Sequence, residues 1–207
     1  MTESATPLAA LYSTSTLEHH HFNMTVAILQ QEGHNILKHL SEEAYKQVLG
    51  NIKHCILATD LARFFPNRDR LSAVVENKSF SWSNLDHRLL VEAIAMTACD
   101  LCAACKHWDV QYKTSQVIFE EFYQQGDAEK VAGRTPAPMM DRDQPDQQAA
   151  CQVGFMKGIC LPCYKLLSKV IPQTKPLLQG CEQNTERWMQ KASEVEMQRK
   201  GRIGTSH

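Results

Sequence analysis

The chain has 207 residues, with 22 Lys and Arg against 23 Asp and Glu, for a formal net charge of -1. A balance so close to zero excludes the electrostatic footprint of a nucleic-acid binder or of a protein held on an anionic membrane. No apolar run approaches the ~20 residues that cross a bilayer, so no membrane span is expected. The length is enough for one domain with a real core. Residues 1–16 have no basic start and no long apolar stretch; Leu8-Ala9-Ala10-Leu11-Tyr12 is too short for a signal core. A cytoplasmic location follows as the expectation, with the eight cysteines kept as reduced thiols. Leu, Met and Ala are plentiful and β-branched runs scarce, which points to an all-α fold, a compact multi-helix bundle.

In chain order, residues 16–31 read as a helix offering Phe22, Val26, Ile28 and Leu29 for burial and closed by Gly33. Ser41 reads as an N-cap, with Glu42 and Glu43 in the first turn where the helix dipole favours acids. Val48, Leu49, Ile52, Ile56, Leu57 and Leu61 keep helical spacing until Phe65-Pro66 stops the run. A shorter helix is expected over about 69–76, followed by the connector Ser81-Trp82-Ser83-Asn84. The segment 86–104 is apolar nearly all round and is expected at the centre of the bundle. Asp109 is expected to cap the next helix, which carries Val117, Ile118, Phe122 and Tyr123 and closes at Gly126. Residues 133–147 hold Gly133, Pro136, Pro138 and Pro145 around Met139-Met140, a long loop of the kind that serves as a functional lid. Helix returns over 148–170, where Pro162 should kink or divide it. A last helix over about 184–198 leads into a basic tail, Arg199, Lys200 and Arg202, expected to be disordered.

Several polar residues interrupt these apolar patterns. Glu18, Thr59, Asp100 and Gln152 each fall inside a helical apolar run, and a carboxylate on a core-facing stripe costs several kcal/mol unless paired or bound to metal. Consecutive helix residues point about 100° apart, so His19, His20 and His21 cannot all grip one ion, whereas Glu18 and His21 share a face. That pair is half of a carboxylate-bridged di-metal signature or part of a buried hydrogen-bonded cluster. Cys99, Cys102, Cys105 and the pair Cys160 and Cys163 lie in apolar helical segments, where core thiols and a structural zinc site are the two readings. Asp100, in the most hydrophobic helix, is either a capped or salt-bridged buried aspartate or a hard oxygen ligand for Mg²⁺, Mn²⁺ or Zn²⁺. Gln152 is a surface glutamine at a helix start or an amide able to donate and accept toward a planar ring, with the Phe155 face available for stacking.

The blocks Leu17-Glu18-His19-His20-His21-Phe22, Ile56-Leu57-Ala58-Thr59-Asp60-Leu61, Met96-Thr97-Ala98-Cys99-Asp100-Leu101, Gln125-Gly126-Asp127 and Gln152-Val153-Gly154-Phe155, in this order, resemble the catalytic domain of the class I 3′,5′-cyclic-nucleotide phosphodiesterases. The likeness is to the branch acting on cGMP, or on both cGMP and cAMP, whose members usually carry regulatory GAF domains. It spans residues 8–195, with 1–7 a non-homologous start and 196–207 the basic tail. The resemblance implies a helical domain around a pocket with two divalent metal ions, zinc plus magnesium or manganese. It puts Asp100 on a metal-ligating aspartate. Glu18, His20, His21 and Thr59 fall around the metals, Glu18 holding metal-bound water. Gln152 falls on the glutamine that reads the purine edge and Phe155 on the aromatic that stacks on the base. Ile118, Phe122 and Ala104 match pocket-wall positions, and Met139 the loop flanking the base. The implied reaction is in-line attack of metal-bound hydroxide on phosphorus, with a protonated histidine serving the leaving 3′ oxygen.

Two motifs of that family, His-Asn-x-x-His-Ala and His-Asp-x-Asp-His, do not occur in this sequence. They hold the leaving-group histidine and the other metal ligands, so no catalytic histidine is retained, the metal site is incomplete, and the 207-residue chain is expected to be inactive by itself. The alternative reading is a non-catalytic helical partner that associates with full-length phosphodiesterases, as one half of a homo- or heterodimer. A third, a cysteine-based zinc protein, would depend on Cys102 and Cys160.

Overall fold

The computed structural model describes residues 11–204, with side chains from 11 to 200. Every regular element among them is helical, and the chain divides into two compact units, one up to Asp100 and one from Leu101. The expected boundary at residues 7 and 8 lies outside the described residues. None of the described helices is long and apolar enough to cross a membrane.

The first unit holds α1 (Thr16–Leu29), α2 (Glu42–Ala58), α3 (Leu61–Glu76) and α4 (Leu85–Asp100). Ser41 caps α2 as expected, its hydroxyl accepting from the Ala44 N–H at 3.3 Å. The long run expected up to Phe65-Pro66 is in fact two helices. Asp60 is the reason: its carboxylate accepts from the Ala62 N–H at 2.9 Å, capping α3, and from the Ser15 hydroxyl at 2.6 Å. Pro66 lies inside α3 rather than ending it. The bond it forfeits is the one to the Ala62 carbonyl in the second turn, and both residues are exposed, so solvent can take the place of the missing N–H.

Helix α4 packs on both α2 and α3. Leu90, Val91, Ala93, Ile94 and Ala98 are buried with Leu57, Phe64 and Leu71, each large side chain contributing roughly 1.5–3 kcal/mol on burial. Two polar ties fix the register. The Thr97 hydroxyl is 3.1 Å from the carbonyls of both Ala58 and Ala93, and the His54 Nε2 lies 2.8 Å from the Leu89 carbonyl oxygen. The helix is not apolar all round, however, since Glu92, Cys99 and Asp100 are exposed.

The second unit begins with a 3-10 turn, Cys102–Cys105, and continues with α5 (Trp108–Val131), a turn at Pro138–Met140, α6 (Gln147–Phe155), α7 (Leu161–Val170) and α8 (Lys175–Gly204). His107 rather than Asp109 is the N-cap of α5; Asp109 stands in the first turn, where its charge suits the helix dipole. Gly126 does not close α5. A Cβ there would stand 1.9 Å from the Met140 carbonyl oxygen, so the glycine lets the turn at Pro138–Met140 lie directly on the helix. Between α6 and α7 runs a π-turn, Met156–Cys160. The Gly158 carbonyl that Pro162 cannot serve falls inside it, which is how the proline divides the expected 148–170 helix.

Helix α8 starts earlier and ends later than expected. Pro176 at its second position costs no intrahelical bond, and the segment expected to be a disordered tail from 196 on is helical as far as Gly204. Its inner face carries Cys181, Asn184, Thr185 and Trp188, all buried. The Trp188 ring meets Trp108 at 5.3 Å and Tyr112 at 5.7 Å between centroids.

The loop after α5 is clasped to that helix. Lys130 Nζ reaches Asp141 Oδ1 at 2.5 Å and Asp143 Oδ2 at 2.7 Å, while Arg142 reaches Asp127 at 2.7 Å. Lys130 holds the Asp141 carboxyl down at about 2, and Asp141, with Asp143, raises the Lys130 ammonium to about 12. A depressed acid contributes above its unfolded value and loses that contribution as pH falls toward 2; a raised base contributes below 10.5 and loses it as pH climbs to about 12. The clasp is therefore intact from about pH 4 to pH 10. An NMR titration should find the Asp141 midpoint near 2, and Asp141→Asn should speed amide exchange over 134–146 several-fold while leaving the melting temperature of the chain nearly unchanged. Gly126→Ala, which forces the Met140 carbonyl away, should cost about 1–3 kcal/mol in urea unfolding; an unchanged midpoint would mean the turn is not seated on α5.

Candidate functional site

In the first unit, α1 carries Glu18 and His20 half-buried and His21 exposed. His19, one residue after Glu18, stacks on Tyr12 with centroids 5.3 Å apart and has Nδ1 at 2.9 Å from the Ser15 carbonyl oxygen. Through the Ser15–Asp60 bond the start of α1 is tied to the start of α3. A cleft of about 770 Å³ opens there, lined by Ser15, His19, Lys53, Asp60, Arg63 and Arg70 among others. Asp60 and His19 are not among the site residues that the sequence suggests, although each sits inside one of its motif blocks. Asp60's neighbour Thr59 donates its hydroxyl to the Ile56 carbonyl at 2.8 Å, closing α2 on itself.

Asp100 is the last residue of α4, and its side chain is exposed rather than set in the core. The buried face of that helix, Leu90, Ile94, Thr97 and Ala98, has turned away by residue 100. Asp100 stands one turn beyond Thr97, and Thr59 directly follows the Ala58 carbonyl to which Thr97 is bonded. This tie brings Asp100 and Thr59 to the same end of the α2–α4 pair. No hydrogen bond or ion pair engages the Asp100 carboxylate among the described residues.

In the second unit, Gln148, Gln152 and Phe155 follow one another on one face of α6 at helical spacing. The Gln148 amide exchanges contacts of 3.3 and 3.4 Å with that of Gln116 on α5. Gln152 and Phe155 are half-buried. On α5, Phe122 is half-buried beside the buried Phe119, their rings edge to face at 6.1 Å, and Ile118 is 43 % exposed. The turn Pro138–Met140 touches both α5 and α6, and Met139 in it is half-buried. Residues expected to flank and stack on a base thus come from three adjacent elements of one unit. Ala104 differs: it is buried, 4 % exposed, in the turn Cys102–Cys105, where its carbonyl accepts from Asn184. The Gln152 amide itself makes no hydrogen bond to another described residue.

No three His, Cys, Asp or Glu side chains among the described residues are placed to share one ion. Those residues therefore do not by themselves make the two-metal centre implied by the resemblance. Of the two thiols on which a zinc reading would rest, Cys102 is exposed and Cys160 buried.

Comparison with known proteins agrees with the motif blocks. The family model described as 3′5′-cyclic nucleotide phosphodiesterase matches residues 1–181. The probable 3′,5′-cyclic phosphodiesterase pde-5 of Caenorhabditis elegans is 53 % identical over 194 residues, covering 94 % of this chain and 27 % of that protein. The cGMP-specific 3′,5′-cyclic phosphodiesterase of Drosophila melanogaster is 43 % identical over 197 residues, covering 95 % of this chain and 18 % of that protein. Its counterpart in Drosophila virilis is likewise 43 % identical, with 22 % of its length covered. The chain thus spans about a quarter or less of the curated relatives it matches. An all-helical chain matched over 181 of its 207 residues, with the motif blocks in the family's order, belongs to the 3′,5′-cyclic nucleotide phosphodiesterase family.

Proposed function

We propose that this chain supplies the purine-recognition face, and one metal-facing carboxylate, of a catalytic domain that hydrolyses cGMP, cAMP or both to 5′-monophosphates. The observation that supports it most is the shared face of Gln152 and Phe155 on α6, with α5 and the Met139 turn beside it. Phe155 offers a ring face for stacking, worth about 1–3 kcal/mol per base, and the Gln152 amide offers a donor and an acceptor to the purine edge. With no described residue locking that amide, either purine can be served by rotating it. Ile118, Phe122 and Met139 would flank the base, and Ala104 would act from behind the wall. Asp100, exposed and unpaired at the end of α4, is suited to bind a cation, but only together with ligands that the described residues do not provide; Glu18, His20, His21 and Thr59 are the residues assigned to act beside that cation.

Titration of the purified chain with cGMP, followed by amide NMR, should shift the signals of α6 and of the Gln152 side chain. Phe155→Ala and Gln152→Ala should each weaken binding about tenfold, as expected for the loss of roughly 1.4 kcal/mol. Shifts confined to other elements, or none at millimolar cGMP, would overturn the assignment. The chain with zinc and magnesium should hydrolyse no cGMP above blank.

A second reading, a helical partner of full-length phosphodiesterases, draws on the exposed apolar side chains of the first unit: Met24, Ile28, Ile36 and Leu40 are between 41 and 84 % exposed. Light scattering on the chain mixed with a full-length relative should show a complex; two separate monodisperse species would rule this reading out.

A further inference from the structure

The interior of the second unit gathers four thiols that the phosphodiesterase reading does not use. Cys160, Cys163 and Cys181 are fully buried, Cys105 is half-buried at the end of its 3-10 turn, and Tyr164 lies among them. Cys105 and Cys181 are pressed together by the backbone around them. A Cβ on Gly180 would stand 2.4 Å from the Cys105 carbonyl oxygen and 3.4 Å from its Cα, so α8 touches the main chain of Cys105 directly. The Asn184 amide donates to the Ala104 carbonyl at 2.9 Å and to the Lys106 carbonyl at 2.8 Å, gripping the turn on both sides of Cys105. On α8, Cys181 lies one turn before Asn184 and on the same face. Cys181 and Tyr164 are the side chains that act on the Cys105 sulfur.

We propose that Cys105 and Cys181 form a reversible disulfide site that covalently fastens the turn Cys102–Cys105 to α8. A disulfide needs Cβ atoms roughly 3.5–4.5 Å apart. The seating of Gly180 on the Cys105 main chain, with Asn184 gripping both neighbouring carbonyls, brings the buried Cys181 on that same face up to Cys105. The thiols are differently prepared. The neighbouring Cys181, with Tyr164, draws the Cys105 thiol below its ordinary value, against the opposing effect of burial, whereas Cys105 and burial push Cys181 up. Burial, with the neighbouring Cys163 and Cys105, takes Cys160 up to about 12. Cys105 is thus the thiolate that attacks, and the half-buried one that an oxidant can reach.

With a small-molecule disulfide as oxidant, the Cys105 thiolate attacks one sulfur, the S–S bond breaks, and one small thiolate leaves. The Cys181 sulfur then attacks the Cys105 sulfur of the mixed disulfide and expels the second small thiolate, which takes up the Cys181 proton as it leaves. Two electrons pass from the two cysteines to the oxidant, whose two released thiolates take up the two protons. A reducing thiol reverses both steps. This site is independent of the catalytic reading and stands or falls separately from it.

The test treats the native chain with oxidised glutathione, blocks remaining thiols with iodoacetamide, and maps tryptic peptides without reduction. Peptide 89–106 should be linked to peptide 170–187, with fragment ions assigning the bond to Cys105 rather than Cys99 or Cys102. Two of the eight thiols should be lost to alkylation after unfolding and recovered with dithiothreitol. The oxidised chain should melt several degrees higher, because the bridge restrains a long loop in the unfolded state. Cys102→Ser should behave as the parent chain, and Cys105→Ser, checked for helicity by circular dichroism, should lose the link. Three outcomes in the parent chain would overturn the proposal without any variant. They are a Cys99–Cys102 link instead, a lasting glutathione adduct on Cys105 with Cys181 still free, or no oxidation of either residue.

Discussion

Two carbonyls, on either side of Cys105, depend on a single side-chain amide. Asn184 is buried on α8, and its two N–H groups go to Ala104 and Lys106. A 3-10 turn has few bonds of its own, so an outside donor of this kind decides where the turn sits. The rest of the second unit follows from that seat. With Gly180 against the Cys105 main chain, α8 comes close enough to bury Cys181 and Trp188, and the same helix packs on α6 and α7. The face of α6 that presents Gln152 and Phe155 therefore rests on a scaffold whose far end is held by hydrogen bonds to a turn nearly eighty residues earlier in sequence. The thiol pair is a by-product of the same close approach.

The first unit uses the same device with different residues. Helices α2 and α3 are consecutive, and their junction is made by Asp60, which caps α3 and anchors Ser15. Thr97 then ties α4 to the last carbonyl of α2 that precedes this junction. The hydroxyl and the carboxylate involved are short and nearly rigid, so little rotamer entropy is lost in fixing them. Polar residues inside apolar runs turn out to be the ones that join the helices: Thr97 through the Ala58 carbonyl, Asp60 through a main-chain N–H and the Ser15 hydroxyl.

Much of this was readable in advance, and the reasons differ by residue. The caps at Ser41, the connector at Ser81-Trp82-Ser83-Asn84 and the perturbation at Pro162 are local, set by a residue's own φ/ψ preference and its hydrogen-bonding groups. The family was legible because five short blocks recur in one order. Pro66 and Gly126 were misread because both are strong breakers by local propensity, and each is excused by its surroundings: Pro66 by solvent at the start of α3, Gly126 by the carbonyl of Met140 that would meet any side chain. Asp100 was expected deep in the core because the segment around it is so apolar; the helix ends on it, and its side chain faces outward.

The sequence by itself determined the helical character of the chain, most of its capping points, and its membership of the phosphodiesterase family. These follow from backbone preferences, apolar spacing and ordered motifs that act over a few residues at a time. Only the tertiary structure decided which helices are continuous, which face of α4 is buried, and which cysteines meet. Contacts such as 126 with 140, 58 with 97, and 105 with 180 depend on two chain segments approaching closely. That approach is set by packing across elements far apart in sequence, which no local pattern records.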